Sequence, residues 1–416
     1  ERCRSLLAGI LAGGPQNRLW RAWHMSPIRI LTFSSLYPNA AQPTHGIFVE
    51  NRLRHLLDSG EIEVKVVAPV PWFPMAHPAF GKYGKFATVP MHEIRHGIEI
   101  WHPRYWVLPK IGMSIAPLFM ARAVKKTVRK IREQGFDFDL IDAHYFYPDG
   151  VAACIVANSL DKPFVVTARG TDINLIPRHS LPKQWILWAA NKSRAMISVC
   201  QALKNEMAAI GIAADKVTAL RNGVDLDFFN PGDREEIRRQ LNISGKTLLS
   251  VGYLIERKGH HLIIEALSRL PDVRLYIAGE GEMSAQLHKF AADSGVADRV
   301  VFLGALDRVS LRRYMVAADA LVLASSREGM ANVLLESIAC GTPVVATPLW
   351  GTPEVVAVPE AGVLTRGRSA AGIAEGVNRL FAYYPSREAT RRYAEKFGWD
   401  DTTRGQLEIF HRILAV

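Results

Sequence analysis

The chain has 416 residues, a formal net charge of +11, 49% hydrophobic residues and 22% charged residues. This length exceeds the roughly 250–300 residues at which a single core stops growing, so two domains are expected, and the composition excludes a disordered chain. No apolar run approaches the roughly 18 residues that a membrane span needs, while the positive charge predicts an anionic partner: a phosphorylated substrate, an acidic leaflet or nucleic acid.

In chain order, Arg2 and Arg4 precede a short apolar run over residues 6–12, a superficial signal-peptide pattern. Trp20, Arg21 and Trp23 then follow in place of a small-residue cleavage site, so residues 1–24 are expected to be an upstream extension and Met25 the natural start. Strand-like runs follow at residues 28–33, 63–68, 140–143, 164–167, 195–199 and 217–220, with a helical stretch at 49–58. Within this half, Met113, Pro117, Met120, Val124, Val128 and Ile131 recur at helical spacing. Arg122, Lys125, Lys126, Arg129, Lys130 and Arg132 fall on the opposite face. The segment 113–132 thus predicts a basic amphipathic helix. Its apolar face packs on the first-half sheet, its cations lie on an anionic membrane surface, or both.

The cluster Asn230-Pro231-Gly232-Asp233 marks a linker, and the pattern restarts with strands at 247–251, 273–278, 300–303, 320–323 and 343–346. This β-α-β alternation predicts an α/β protein of two facing Rossmann-like, doubly wound domains. Ligands in such folds sit at the carboxyl ends of strands, and facing units would leave a cleft between them. The expected division is an N-terminal domain over 25–229 and a C-terminal domain over 230–390. A helical segment over 391–416 is expected to pack back on the N-terminal domain. Cys3, Cys154, Cys200 and Cys340 form no CxxC pair and join no metal-spaced histidines, which excludes a disulfide framework or zinc site and fits a reducing cytoplasm.

The sharpest constellation is residues 325–347, S-S-R-E-G-M-A-N-V-L-L-E-S-I-A-C-G-T-P-V-V-A-T. Gly329 directly follows Glu328 and allows a tight turn with close approach of backbone to ligand. The helix-like segment after it, 332–339, carries Glu336 about two turns in and aims free N–H groups at an anion or sugar oxygens. Two glutamates on a helix are by themselves ordinary surface charges; the whole string carries the weight. A second piece, Val251-Gly252-Tyr253-Leu254-Ile255-Glu256-Arg257-Lys258-Gly259, ends the first strand of the second half and precedes a helical run over 261–270. Two cations there suit a diphosphate whose charge grows as its bond to a sugar breaks, although such a pair standing alone is a solvated basic turn.

These motifs resemble glycosyltransferase family 4, whose pattern G-x-L-x-x-x-K-G appears here at residues 252–259 and E-G-[FM]-x-x-x-x-x-E at 328–336. Arg221-Asn222-Gly223-Val224-Asp225, Ala278-Gly279-Glu280-Gly281, Phe302-Leu303-Gly304 and Gly341-Thr342-Pro343-Val344-Val345 match as well, so the resemblance covers roughly residues 27–412. It implies a GT-B architecture with an N-terminal acceptor domain and a C-terminal donor domain. The activity implied is a retaining, hexosyltransferase-type transfer from a nucleotide-diphosphate sugar to a hydroxyl. Arg257 and Lys258 would hold the donor diphosphate, Glu336 the ribose, and Glu328 the sugar hydroxyls. Gly252 would sit in the donor loop, and backbone around Gly329, Met330, Ala331, Asn332 and Val333 would cradle sugar and phosphate. Gly46 would let the first loop approach the phosphates, and His144 matches the active-site histidine.

Two positions depart from the family pattern. Thr167-Ala168-Arg169-Gly170-Thr171-Asp172 replaces a common His-Gly pair, making Arg169 and Asp172 acceptor-side candidates, with Arg169 meeting an acidic acceptor, or a phosphate, or simply pairing with Asp172. Ala331 replaces a second glycine, and its methyl narrows the sugar pocket. The resemblance further implies front-face attack, with the departing phosphate oxygen taking the acceptor proton. No cofactor is expected. The acids of Asp137-Phe138-Asp139 and Asp225-Leu226-Asp227 read as loop or surface residues rather than a metal site, so no metal is expected either. The competing readings are a nucleotide-sugar epimerase, a dinucleotide oxidoreductase, and a basic binding protein. The first lacks an extra carboxylate set and the second lacks G-x-G-x-x-G. For the third, no aromatic-interleaved basic stripe supports nucleic acid. The expected setting is polysaccharide or glycolipid biosynthesis in the cytoplasm, peripheral to the inner membrane face, with a lipid-linked or saccharide acceptor.

Overall fold

The computed structural model describes residues 26–107 and 112–415; the extension expected over 1–24 lies outside them. Its architecture is α/β, with two Rossmann-like domains built on mainly parallel sheets. By internal contacts the chain divides into one unit running through His144 and including Pro148–Val165, and a second of Tyr145–Tyr147 with Val166–Ala415.

The first sheet comprises β1 (Ile28–Phe33), β2 (Ile62–Val67), β4 (His92–Arg95), β5 (Ile98–Trp101), β7 (Leu140–His144), β8 (Phe164–Ala168), β9 (Ala195–Ser198) and β10 (Val217–Ala219). Their order is β10-β9-β8-β7-β1-β2-β5-β4. Ile30, Leu31 and Phe33 are fully buried, as expected of a parallel strand covered on both faces. The second sheet takes β11 (Lys246–Val251), β12 (Val273–Ala278), β13 (Val300–Gly304), β14 (Ala320–Leu323), β15 (Val344–Ala346) and β16 (Gly362–Leu364), in the order β13-β12-β11-β14-β15-β16. Leu248, Leu275, Ile277, Ile263 and Val322 anchor its core.

Several elements differ from the sequence expectation. β4 and β5 form an antiparallel hairpin whose register pairs Arg95 with Ile98, leaving His96-Gly97 as a two-residue turn. Both turn residues have positive φ (49° and 79°), as a type I′ turn requires, but histidine in place of asparagine hides the signal. A separate pair, β3 (Val70–Pro71) with β6 (Arg104–Tyr105), and the edge strand β16 are also absent from the sequence reading. The Asn-Pro-Gly-Asp cluster ends in Asp233, whose side chain accepts from the Glu236 N–H and caps the helix Arg234–Gln240. Arg234 of that helix pairs with Asp319 at 2.6 Å, beside β14.

The basic amphipathic segment is a helix, Gly112–Glu133. Met120, Val124, Val128 and Ile131 are buried and Pro117 is packed inward, so the apolar stripe is core. Met113 falls on a side chain outside the described set. Arg122, Lys125, Lys126, Arg129, Lys130 and Arg132 are all exposed. Among the described residues, no helix is long and apolar enough to cross a membrane.

Candidate active site

Four of the residues expected to bind the donor converge in the second unit. After β11 the chain turns at Gly252 (φ 148°), where an added Cβ would lie 3.2 Å from the Lys258 Cδ and Cε. Arg257 and Lys258 sit in a single 3-10 turn, Glu256–Lys258, which Gly259 (φ 71°) joins to the helix His260–Ala266. That helix is shorter than the expected run to residue 270, ending in a further 3-10 turn, Leu267–Arg269. Lys258 Nζ donates to Glu328 Oε1 at 2.6 Å, Ser325 Oγ donates to the same oxygen at 2.7 Å, and Arg257 Nη1 lies 3.8 Å from Oε2. Arg257 Nη1 also donates to the Arg327 carbonyl at 2.8 Å. The two cations and the carboxylate therefore form one part-buried cluster. His260, directly behind it, is buried against Ser250 Oγ at 2.9 Å. Burial pushes its pKa down to about 4, so it stays neutral at physiological pH.

The turn after Glu328 is clamped through its main chain. Asn174 Nδ2 donates to the Glu328 carbonyl at 3.4 Å, and Cys200 Sγ (3.5 Å) and the Gly351 N–H (3.2 Å) both reach the Gly329 carbonyl. Met330 and Ala331 are buried, while Asn332 and Val333 are half-buried at the start of the helix Asn332–Ala339. Ala331 occupies the N-cap at φ −83°, a conformation open to any residue, so the missing glycine costs the turn nothing. Its side chain offers no cap, which leaves the first-turn N–H groups of this helix to other partners.

Glu336 is the fifth residue of the helix, just past its first turn rather than two turns in. Its carboxylate accepts no hydrogen bond among the described residues. Burial raises its pKa to about 7, against the opposing charge of Arg308. The folded state thus holds this proton more tightly than the unfolded chain. Stability contributed by the neutral form is complete at and below the ordinary value of 4.5 and declines as pH rises through about 7. Glu336→Gln is expected to raise the melting temperature near about pH 8 and leave it unchanged near about pH 4. In calorimetry it should weaken nucleoside diphosphate binding by about 1–3 kcal/mol, the scale of a charged hydrogen bond. Unchanged nucleotide affinity would remove the ribose assignment.

Arg169 and Asp172 have different surroundings. Asp172, fully buried, accepts the main-chain N–H groups of Phe146 (2.7 Å), Gly170 (2.7 Å) and Arg169 (3.1 Å). Burial raises its pKa and these bonds oppose the rise. It ties the Tyr145–Tyr147 turn to the loop after β8, so its visible work is structural. The Arg169 guanidinium donates to Asn222 Oδ1 at 3.0 Å, and Asn222 Nδ2 donates to Asn332 Oδ1 at 3.0 Å. Arg169 is thus linked to the start of the helix Asn332–Ala339. Sequence reasoning assigned no site role to Asn174, Cys200 or Asn222; the first two grip carbonyls, for which side-chain patterns carry no signal.

In the first unit, β1 and β7 are neighbours, and their carboxyl ends carry the remaining candidates. His144 closes β7, is buried, and places Nε2 3.2 Å from Asp142 Oδ2. Arg52, buried on the helix Ile47–Asp58, has its pKa lowered to about 10 by burial, with the Asp142 charge opposing. Gly46 is the N-cap of that helix at φ 66°, where a Cβ would meet the Leu36 carbonyl carbon and oxygen at 2.3 Å. Asp149 holds the same loop, accepting from Ser35 Oγ at 3.0 Å and from the Ser35 N–H. Asp137 pairs with Arg132 and Lys162, and in the second unit Asp225 pairs with Arg308, as loop acids do. No group of three or more metal-binding side chains occurs among the described residues.

Residues 233–397 match the family model for glycosyl transferases group 1, and residues 46–228 match glycosyltransferase family 4. The D-inositol 3-phosphate glycosyltransferase of Frankia alni is 32% identical over 355 residues, covering 78% of this chain and 86% of the relative. TuaC of Bacillus subtilis, whose name places it in teichuronic acid biosynthesis as a glycosyltransferase, is 28% identical over 360 residues, 85% of this chain and 89% of its own. Among solved structures, Anabaena HepE in complex with UDP shares the fold with a TM-score of 0.70 at 20% identity, over 93% of this chain and 100% of HepE. With both sheets, the two motif-bearing loops and these likenesses in agreement, the chain belongs to the group 1, family 4 glycosyltransferases and has the GT-B fold.

Proposed function

We propose that the protein transfers a hexose from a nucleotide-diphosphate sugar to a hydroxyl of a saccharide or lipid-linked acceptor, with retention and without metal. The observation that carries this reading is the Arg257–Lys258–Glu328 cluster, two cations held on one carboxylate at 3.8 and 2.6 Å. A diphosphate replaces that carboxylate as the anionic partner, and the released Glu328 turns to the sugar hydroxyls. Positioning and charge stabilisation then do the work, the leaving phosphate oxygen accepting the acceptor proton. Glu336 binds the ribose. The likeness to HepE, which was solved in complex with UDP, supports a nucleotide as part of the donor.

The test is nucleotide release from UDP-, GDP- and ADP-linked sugars with and without chelator, followed by NMR of the product's anomeric centre. One donor should be turned over at an unchanged rate in chelator, with the donor's configuration kept. An inverted product or a chelator-abolished rate would overturn the mechanism. The exposed cations of Gly112–Glu133 support a second element of the proposal, a peripheral position on the cytoplasmic leaflet, where each basic residue contributes about 1 kcal/mol near an anionic surface.

A further inference from the structure

The loops that follow β2 and β5 carry an apolar surface that neither the core nor the donor site uses. The short strands β3 and β6 pair in parallel, Val70 with Arg104 and Pro71 with Tyr105, and the Trp72 N–H donates to the Tyr105 carbonyl at 2.7 Å. This ladder sets Trp72 and Trp106 side by side, ring centroids 4.4 Å apart. Yet Trp72 and Trp106 are 41% and 55% exposed, and Phe73, next to Trp72 in the chain, meets the rings of Phe80 and Tyr83 at 5.3 and 5.7 Å; both of these are exposed, as is Met75. Isolated exposed apolar residues need no explanation, but a concentrated patch on a soluble fold marks an interaction surface.

We propose that this patch inserts into the interfacial zone of an anionic bilayer, seating the enzyme beside an acceptor carried in that bilayer; the inference rests on the membrane-acceptor reading above. The composition favours lipid over sugar. Residues 68–80 contain no Asp, Glu, Lys or Arg. A saccharide platform needs hydrogen-bonding groups beside its stacking ring, and the one imidazole in this stretch, His77, accepts locally from the Ala79 N–H at 3.2 Å. Tryptophan suits the lipid interface because its ring is apolar while its N–H stays wet. Lys85, exposed on the short helix that follows, matches phosphate headgroups in sign, and the nearby Glu93 is bonded to His102 at 2.7 Å. Position agrees with this role. β2 and β5 lie two and three strands from β7, so the patch stands about 10–15 Å along the same sheet edge from His144, at about 4.8 Å per strand. The helix Gly112–Glu133 packs against β6, so its cations act on the same unit as long-range attraction while the aromatics act at contact.

The experiment compares wild type, Trp72→Ser/Trp106→Ser and Trp72→Phe/Trp106→Phe on phosphatidylcholine vesicles containing phosphatidylglycerol, with and without brominated acyl chains. Wild-type tryptophan emission should be quenched by the brominated chains. The serine pair should lose that quenching and bind at least about tenfold more weakly, the scale of two half-buried aromatic rings. The phenylalanine pair should still co-sediment, and melting curves of all three should coincide. Salt-sensitive co-sedimentation without quenching would overturn the patch and leave the basic-helix reading standing. Absence of any co-sedimentation at low salt would overturn both. A lipid-free dimer that the serine pair dissolves would assign the patch to a second copy of the chain and overturn the proposal.

Discussion

Lys258→Ala lowers turnover by roughly two orders of magnitude or more, the loss seen when a preorganised charge stabiliser is removed from a developing anion. The ammonium is held on Glu328 at 2.6 Å, while the Arg257 guanidinium stands off at 3.8 Å. Removing Lys258 leaves the carboxylate to Arg257 and draws that second cation away from the diphosphate. Arg257→Ala should be similarly costly, and the double variant less than additive, because the three groups share one network. Lys258→Arg should rescue poorly. The lysine stem runs along Gly252, with room measured by a virtual Cβ only 3.2 Å from its Cδ and Cε, and a forked guanidinium has a different shape and hydrogen-bond geometry. Steady-state kinetics with the preferred donor decide the matter: near-normal turnover in both alanine variants removes the pair from the diphosphate.

Gly329→Ala carries the second large effect, and its cause is steric. A Cβ at this position would lie 2.0 Å from the Arg169 carbonyl oxygen and 3.1 Å from the Gly170 Cα, both main-chain atoms. Gly170 cannot yield easily. It sits at φ 138°, its own virtual Cβ is 2.9 Å from Gly329, and its N–H is fixed on Asp172. Overpacking of this kind costs about 1–3 kcal/mol, which lowers the melting temperature by several degrees. The same shift disturbs the bonds that Cys200 and Gly351 make to the Gly329 carbonyl, and with them the aim of Glu328. The kcat should therefore fall further than the loss of folded protein explains, measured at a temperature where the variant remains fully folded. Ala331→Gly is the matched control, since residue 331 already has an ordinary φ, and it should keep most of the activity. Full kcat in Gly329→Ala would show that this close approach is not needed for the donor turn.

The two motif-bearing loops were legible in the sequence because their chemistry is contiguous: Gly252, Arg257, Lys258 and Gly259 lie on one turn, and Glu328 and Gly329 on another. Strand positions were legible for the same local reason, since parallel strands buried on both faces read as apolar runs. What stayed hidden acts at a distance or through the backbone. Asn174 and Cys200 hold carbonyls more than a hundred residues away. The β4–β5 hairpin turns on His96-Gly97, a pair without the usual asparagine. The helix starts at Asn332, as the sequence reading has it, but at 3.6 residues per turn Glu336 lies only four residues on, just over one turn rather than two. The Trp72–Trp106 pair comes from a parallel ladder between segments 34 residues apart in register, which a reading by local periodicity cannot join.

Asp172 has a consequence for exchange with solvent. One carboxylate takes the amide protons of Phe146, Arg169 and Gly170, so none of the three can be released without unsettling the acceptor of the other two. In deuterated buffer these amides should therefore exchange together, at one shared opening rate, although Phe146 is far from the others along the chain. In an Asp172→Ala protein, that common rate should split into separate ones. The peptide spanning the end of β7 would then become an independent reporter of local opening.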